Sequence, residues 1–72
     1  MYDATLEFDT PHEVIEYLAM GGFRRLPVKG VIQRWVANEV DDDGARLVTF
    51  ASSTLSRDPE RGVRVNLTSR RA

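Results

Sequence analysis

The sequence predicts a small α+β domain, a small antiparallel β-sheet with one helix packed on a face, in the order β-α-β-β-β. Three observations carry this expectation. A capping signal and a glycine stop bracket residues 11–20, apolar–polar alternation marks strands near both ends of the chain, and an Asp-Asp-Asp-Gly run between them has the chemistry of a turn joining two strands.

Residues 4–9 place Ala4, Leu6 and Phe8 on one side and Thr5, Glu7 and Asp9 on the other, the pattern of a half-buried strand. Thr10-Pro11-His12-Glu13 follows as a helix start. Thr10 is placed to accept the backbone N–H of Glu13, and Glu13 to reach back to the N–H of Thr10. Pro11 takes the first helical position, where its missing N–H is no loss. Val14, Ile15 and Leu18 form the apolar stripe, and Gly21-Gly22 ends the helix in the left-handed conformation glycine accepts. Phe23 is placed to fold back on the last turn, and residues 23–27 read as a helix exit exposing Arg24 and Arg25.

Residues 31–40 carry two patterns at once. Val28, Val31, Ile32, Trp35, Val36 and Val40 recur at helical spacing, with Gln33 and Arg34 turned away. Gly30 in the first turn, the missing N-cap and the β-branched residues favour a strand instead. Downstream, Asp42 and Asp43 read as hairpin loop residues, with Gly44 at positive φ. That turn sets Glu39 opposite Arg46, Ala37 opposite Val48 and Trp35 opposite Phe50. The strand reading is adopted, with the helix as its alternative. Residues 46–51 are a strand on either reading, 52–62 a polar loop turned at Asp58-Pro59, and 63–67 a last strand of alternating Val63, Val65, Leu67 and Arg64, Asn66, Thr68. Residues 69–72 are expected to fray.

Composition narrows the function classes. The 72 residues make one domain, spanning 1–72. A chain this short buries only about 60% of its unfolded surface, so a partner chain is the natural supplement to its stability. Cysteine is absent and His12 is the one histidine, which removes disulfides, thiol catalysis and imidazole clusters. No cofactor and no metal are expected. The start, MYDATLEFD, is no signal peptide, and no stretch approaches the roughly 18 apolar residues of a membrane span. The chain therefore reads as cytoplasmic and as a complete small reading frame, without a membrane partner.

Net charge is −1, but the charges come in blocks. Residues 1–20 hold five acids and no Lys or Arg, and residues 21–38 hold Arg24, Arg25, Lys29 and Arg34 and no acid. Glu39, Asp41, Asp42 and Asp43 reverse the sign, and the remainder is net basic. Such blocks suit a two-signed surface for a charged partner.

Catalysis has no visible constellation. Ser52, Ser53 and Ser56 have no histidine in a nucleophile arrangement, and Asp41 to Asp43 lack the alternating spacing of a calcium loop. Gly21-Gly22 follows a helix rather than opening one, the reverse of an anion-binding loop. The chain is read as non-catalytic.

Binding residues are more visible. Arg24, Arg25, Lys29 and Arg34 beside Trp35 have the chemistry to hold phosphates and stack on bases, and Arg57, Arg61 and Arg64 extend that surface. Residues 10–18, TPHEVIEYL, followed by Ile32-Gln33-Arg34-Trp35-Val36, resemble the helix-turn-helix of excisionase and MerR-type DNA binders. The resemblance implies a winged helix-turn-helix as the alternative fold. Residues 47–51 and 63–67 would form its wing with Arg57 and Arg61 at the tip, and Arg34, Gln33 and Lys29 would enter the groove. The first expectation is a small inhibitor or adaptor that docks on a protein or protein–nucleic acid complex. By size class, such proteins include those carried by phages and mobile elements. Nucleic acid is a further candidate partner, and a homodimer through an exposed edge strand is compatible with the pattern.

Overall fold

The computed structural model describes residues 2–72. Its elements run β1 (Tyr2–Phe8), α1 (Pro11–Met20), β2 (Arg24–Leu26), β3 (Gln33–Val40), β4 (Arg46–Ser53), β5 (Arg57–Asp58) and β6 (Gly62–Arg71). The strands form one antiparallel sheet of order β1-β6-β4-β3-β2, with β5 added to β6. The protein is thus a small α+β fold.

The helix forms where its local signals lie. Thr10 is extended (φ −136°), and its hydroxyl accepts the Glu13 N–H at 3.2 Å. At the other end Gly22 adopts φ +78°, the Phe23 N–H reaches the Leu18 carbonyl at 3.0 Å, and the Gly22 N–H reaches that of Ala19 at 3.2 Å. These paired bonds satisfy carbonyls the last turn would otherwise leave open, the Schellman arrangement. They also turn the chain so that Phe23 packs against the core.

One face of the helix is buried. Val14 and Leu18 are fully covered and meet Val63, Val65 and Leu67 of β6, Ala51 of β4 and Trp35 of β3. Ala4, Leu6, Phe8 and Leu55 close the cluster's margins, and the Tyr17 ring lies 5.3 Å from that of Phe8. Full burial of a valine or leucine side chain contributes about 1.5–3 kcal/mol. Val14, Leu18, Val63 and Val65 are fully buried here, so the β1–β6–β4 side of the sheet is the stable part.

Four sequence expectations change. Residues 33–40 are a strand, so the helical alternative and the winged helix-turn-helix built on it are not supported: among the described residues α1 is the one helix. The β3–β4 register differs by one residue from the expected one. Val40 pairs with Arg46, Trp35 with Ala51 and Val36 with Phe50. The reason lies in the turn. A two-residue loop at Asp42-Asp43 needs positive φ at both, whereas among the described non-glycine residues only Leu55 has positive φ. The chain instead makes a three-residue loop with Gly44 at φ +83°, closed by Asp41 N–H to the Ala45 carbonyl at 2.9 Å. The Asp41 carboxylate accepts the N–H groups of Asp43 (3.0 Å) and Ala45 (2.8 Å) and holds that loop.

The third change is two extra strands. Arg24–Leu26 pairs along β3 instead of serving only as a helix exit, and Arg57–Asp58 doubles back on β6. The fourth is the tail. Residues 69–71 do not fray but complete β6, where buried Ser69 accepts the Thr49 hydroxyl at 3.1 Å and the Ala72 N–H reaches the Arg46 carbonyl at 3.0 Å.

Candidate macromolecule-binding face

Side chains alternate across a strand, so the registers assign every sheet residue to one of two faces. The helix covers the face of Leu6, Val65, Ala51 and Trp35. The opposite face has no layer over it. It presents Asp3, Thr5 and Glu7 from β1, then Arg64, Asn66, Thr68 and Arg70 from β6. Arg46, Val48, Phe50 and Ser52 follow from β4, Arg34, Val36, Asn38 and Val40 from β3, and Arg24 and Leu26 from β2.

Its charge is one-sided. Five arginines, 24, 34, 46, 64 and 70, spread over β2, β3, β4 and β6, while its two carboxylates, Asp3 and Glu7, both sit on β1 at the sheet edge. The covered side is mixed, with Arg25 of β2 and Arg71 of β6 on it. The helix carries Glu13 and Glu16, with no lysine or arginine, and Glu16 pairs with His12 at 2.9 Å. The acidic block is thereby divided between the helix and the β1 edge of the open face, and most arginines of the sheet lie on that face.

At the centre of the open face is Phe50, partly exposed, with the Arg70 guanidinium 5.0 Å from its ring centroid. A depression of about 260 Å³ lies here, lined by Phe50, Arg34, Arg70, Thr68, Ser52 and Asn66. It shares Ser52 and Asn66 with a second, of about 360 Å³, that reaches Arg64 and Ile32. The Thr5 hydroxyl lies 3.0 Å from Asn66 Oδ1 and donates to it, which leaves the Asn66 amide NH2 as a donor for a ligand. Beyond Arg34, the β2–β3 loop forms a third depression with Lys29 and the exposed Val31.

Of the residues singled out in the sequence, Arg24, Arg34 and Arg64 lie on this face and Lys29 borders it. The others do not join them. Trp35 is only 4% exposed and sits on the helix side, so its ring is core and offers no stacking surface. Arg25 lies on that same side, its guanidinium 5.7 Å from the Trp35 ring and hydrogen-bonded to Gln33 at 2.6 Å. Arg57 donates to the Asp9 carbonyl at 3.1 Å, tying β5 to the β1–α1 turn. The backbone N–H of Arg61 belongs to the Asp58 turn. In that turn the N–H groups of Glu60 and then Arg61 hold the Asp58 carboxyl below its ordinary value of 3.8, with Arg64 and Arg61 adding to the effect.

Sequence reasoning passed over Phe50, Arg70, Arg46 and Asn66. The signal for Arg70 was present, since the alternation of residues 63–67 continues through 71 and puts Arg64 and Arg70 on one side. Phe50 had no such signal, because its neighbours on the open face come from the long-range pairing of β4 with β6 and β3.

Among the described residues, no group of three or more His, Cys, Asp or Glu is placed to hold a metal ion, and no helix is long and apolar enough to cross a membrane. No protein-family model matches this sequence, and neither a curated protein nor a solved structure shows detectable similarity to it.

Proposed function

We propose that this chain is a non-catalytic binding protein that docks on a macromolecular target through the open face of its sheet. It acts as an inhibitor or adaptor of a protein or protein–nucleic acid complex, of the kind that phages and mobile elements carry. The observation that supports this reading is the concentration of charge on the open face: five arginines and a partly exposed phenylalanine against two carboxylates at its β1 edge, with a helix free of lysine and arginine on the other side. A layer left uncovered, basic and indented is suited to a large anionic surface.

For a second copy on the β1 edge, antiparallel self-pairing centred on Thr5 would set Asp3 of one copy against Glu7 of the other, and like charges directly opposite disfavour that register.

Affinity capture from the cells that encode the protein tests the reading. The wild type is compared with Arg34→Glu/Arg70→Glu on the open face and Glu13→Gln/Glu16→Gln on the helix. The reading expects the target to be lost with the arginine variant, kept with the glutamate variant, and released by salt. Loss with the glutamate variant alone would place the contact on the helix and overturn it.

A further inference from the structure

We infer that the occupant of the open face is a single-stranded nucleic acid, laid along a diagonal from Arg70 across Phe50 and Arg34 to Lys29. The inference rests on the docking reading above and names its ligand. Arg70 pairs with Val48, and Arg34 with Ser52, so each stands one diagonal step from Phe50, on opposite sides of it. Such diagonal neighbours lie about 7–8 Å apart, which brackets one aromatic ring between two cations. Lys29 continues the line, lining the same depression as Arg34.

A single strand presents a phosphate and a flat π-face in alternation, and this diagonal presents a cation, a ring, and two further cations. Phe50 supplies the stacking surface, and the Arg70 guanidinium over it is a second plane on which a base can lie. Ser52, Thr68 and the Asn66 amide, oriented by Thr5, form a polar floor for base edges and phosphate oxygens. An acidic peptide would use the cations alone and leave the ring without a role. A duplex fits less well still. Among the elements a groove could receive, α1 carries Glu13 and Glu16, and the β3–β4 hairpin tip carries Asp41, Asp42 and Asp43. Both would meet phosphates with carboxylates.

The test is fluorescence anisotropy with four labelled probes: mixed-sequence DNA and RNA single strands of equal length, the matching DNA duplex, and a polyglutamate peptide. The single strands are expected to bind best, with a log–log salt slope of about −2, since each phosphate contact contributes roughly 0.7 and three cations lie on the diagonal. Phe50→Ala should weaken binding about 5- to 100-fold, the range of lost base stacking. Phe50→Tyr should retain it, and Phe50→Leu, which keeps the apolar bulk and the fold, should lose it as alanine does. Arg34→Ala and Arg70→Ala should each flatten the salt slope by about 0.7. Arg25→Ala, on the helix side, should change nothing. Tighter binding of the duplex or of polyglutamate, or equal binding by Phe50→Leu and wild type, would overturn the inference. If neither single strand binds while Arg34→Glu/Arg70→Glu still abolishes capture of a protein target, this inference falls and the docking reading stands.

Discussion

Replacing Gly62 with alanine probes how the β5–β6 turn is locked against the end of β1. Gly62 adopts φ +73°, and a Cβ there would fall well inside van der Waals contact of the Phe8 carbonyl oxygen. Gly44 has nearly the same backbone, φ +83°, but nothing lies within 4 Å of its Cβ position. The two alanine variants therefore share the cost of a left-handed side chain and differ only in the clash. That shared cost is about 1–2 kcal/mol. At Gly62 the clash is with backbone, and Phe8 is itself paired to Val63, so relief requires the end of the β1–β6 ladder to shift. A total of about 3 kcal/mol or more is expected. Stability of about 0.05–0.15 kcal/mol per residue gives this chain roughly 4–11 kcal/mol in all. One kcal/mol moves Tm by about 4–8 °C at this size. Gly44→Ala should thus melt about 4–16 °C below wild type, and Gly62→Ala further down, about 12 °C or more below wild type, or be unfolded at room temperature. Circular dichroism melts with parallel urea titrations measure both. Equal losses for the two variants would refute the steric argument.

Other perturbations test other parts of the structure. Thr49→Val removes the donor to Ser69 inside the sheet and strands a buried hydroxyl, at about 1–3 kcal/mol; adding Ser69→Ala should recover most of the loss, and a double variant worse than the single would contradict the pairing. Leu18→Ala, at a fully buried site, should cost about 2–5 kcal/mol and shift Trp35 emission to the red as the helix loosens; unchanged emission in a destabilised variant would separate Trp35 from the helix-side core. The depressed Asp58 pKa makes its turn acid-sensitive: the stability it lends is fully present above 3.8 and is lost as pH falls through the lower folded value. A carbon-detected titration should place the Asp58 midpoint below 3.8, and a midpoint at or above it would show that the Glu60 and Arg61 N–H groups are not engaged.

The parts of this fold that could be read from the sequence are those whose causes lie within a few residues. Thr10, Pro11 and Glu13 start the helix, and Gly22 stops it, because capping and left-handed turns are decided by the groups at hand. Alternation in residues 63–67 marked β6 for the same reason. The short strands were invisible. Arg24-Arg25-Leu26 has no alternation long enough to see, and it becomes β2 only because β3 presents an edge to it. Residues 57 and 58 likewise become β5 by pairing with β6.

The functional face separates the two levels most clearly. Sequence alone determined that the chain holds acidic and basic blocks, a helix without lysine or arginine, and a hairpin turned near Asp42. It also offered Arg24, Arg34 and Arg64 as candidate contacts, together with Trp35, which the fold buries. Tertiary structure decided which side each lies on through the strand registers, and in the β3–β4 hairpin a single residue of register made the difference. With Asp41 drawing the loop to three residues, Trp35 falls opposite Ala51 under the helix and Val36 opposite Phe50 on the open side, while the separate β4–β6 register sets Phe50 beside Arg70. A strand's side chains repeat every two residues, so a shift of one exchanges its faces. The energy that selects between the two registers comes from burying Trp35 beneath a helix far away in the chain, and from turn hydrogen bonds that no hydrophobic pattern encodes.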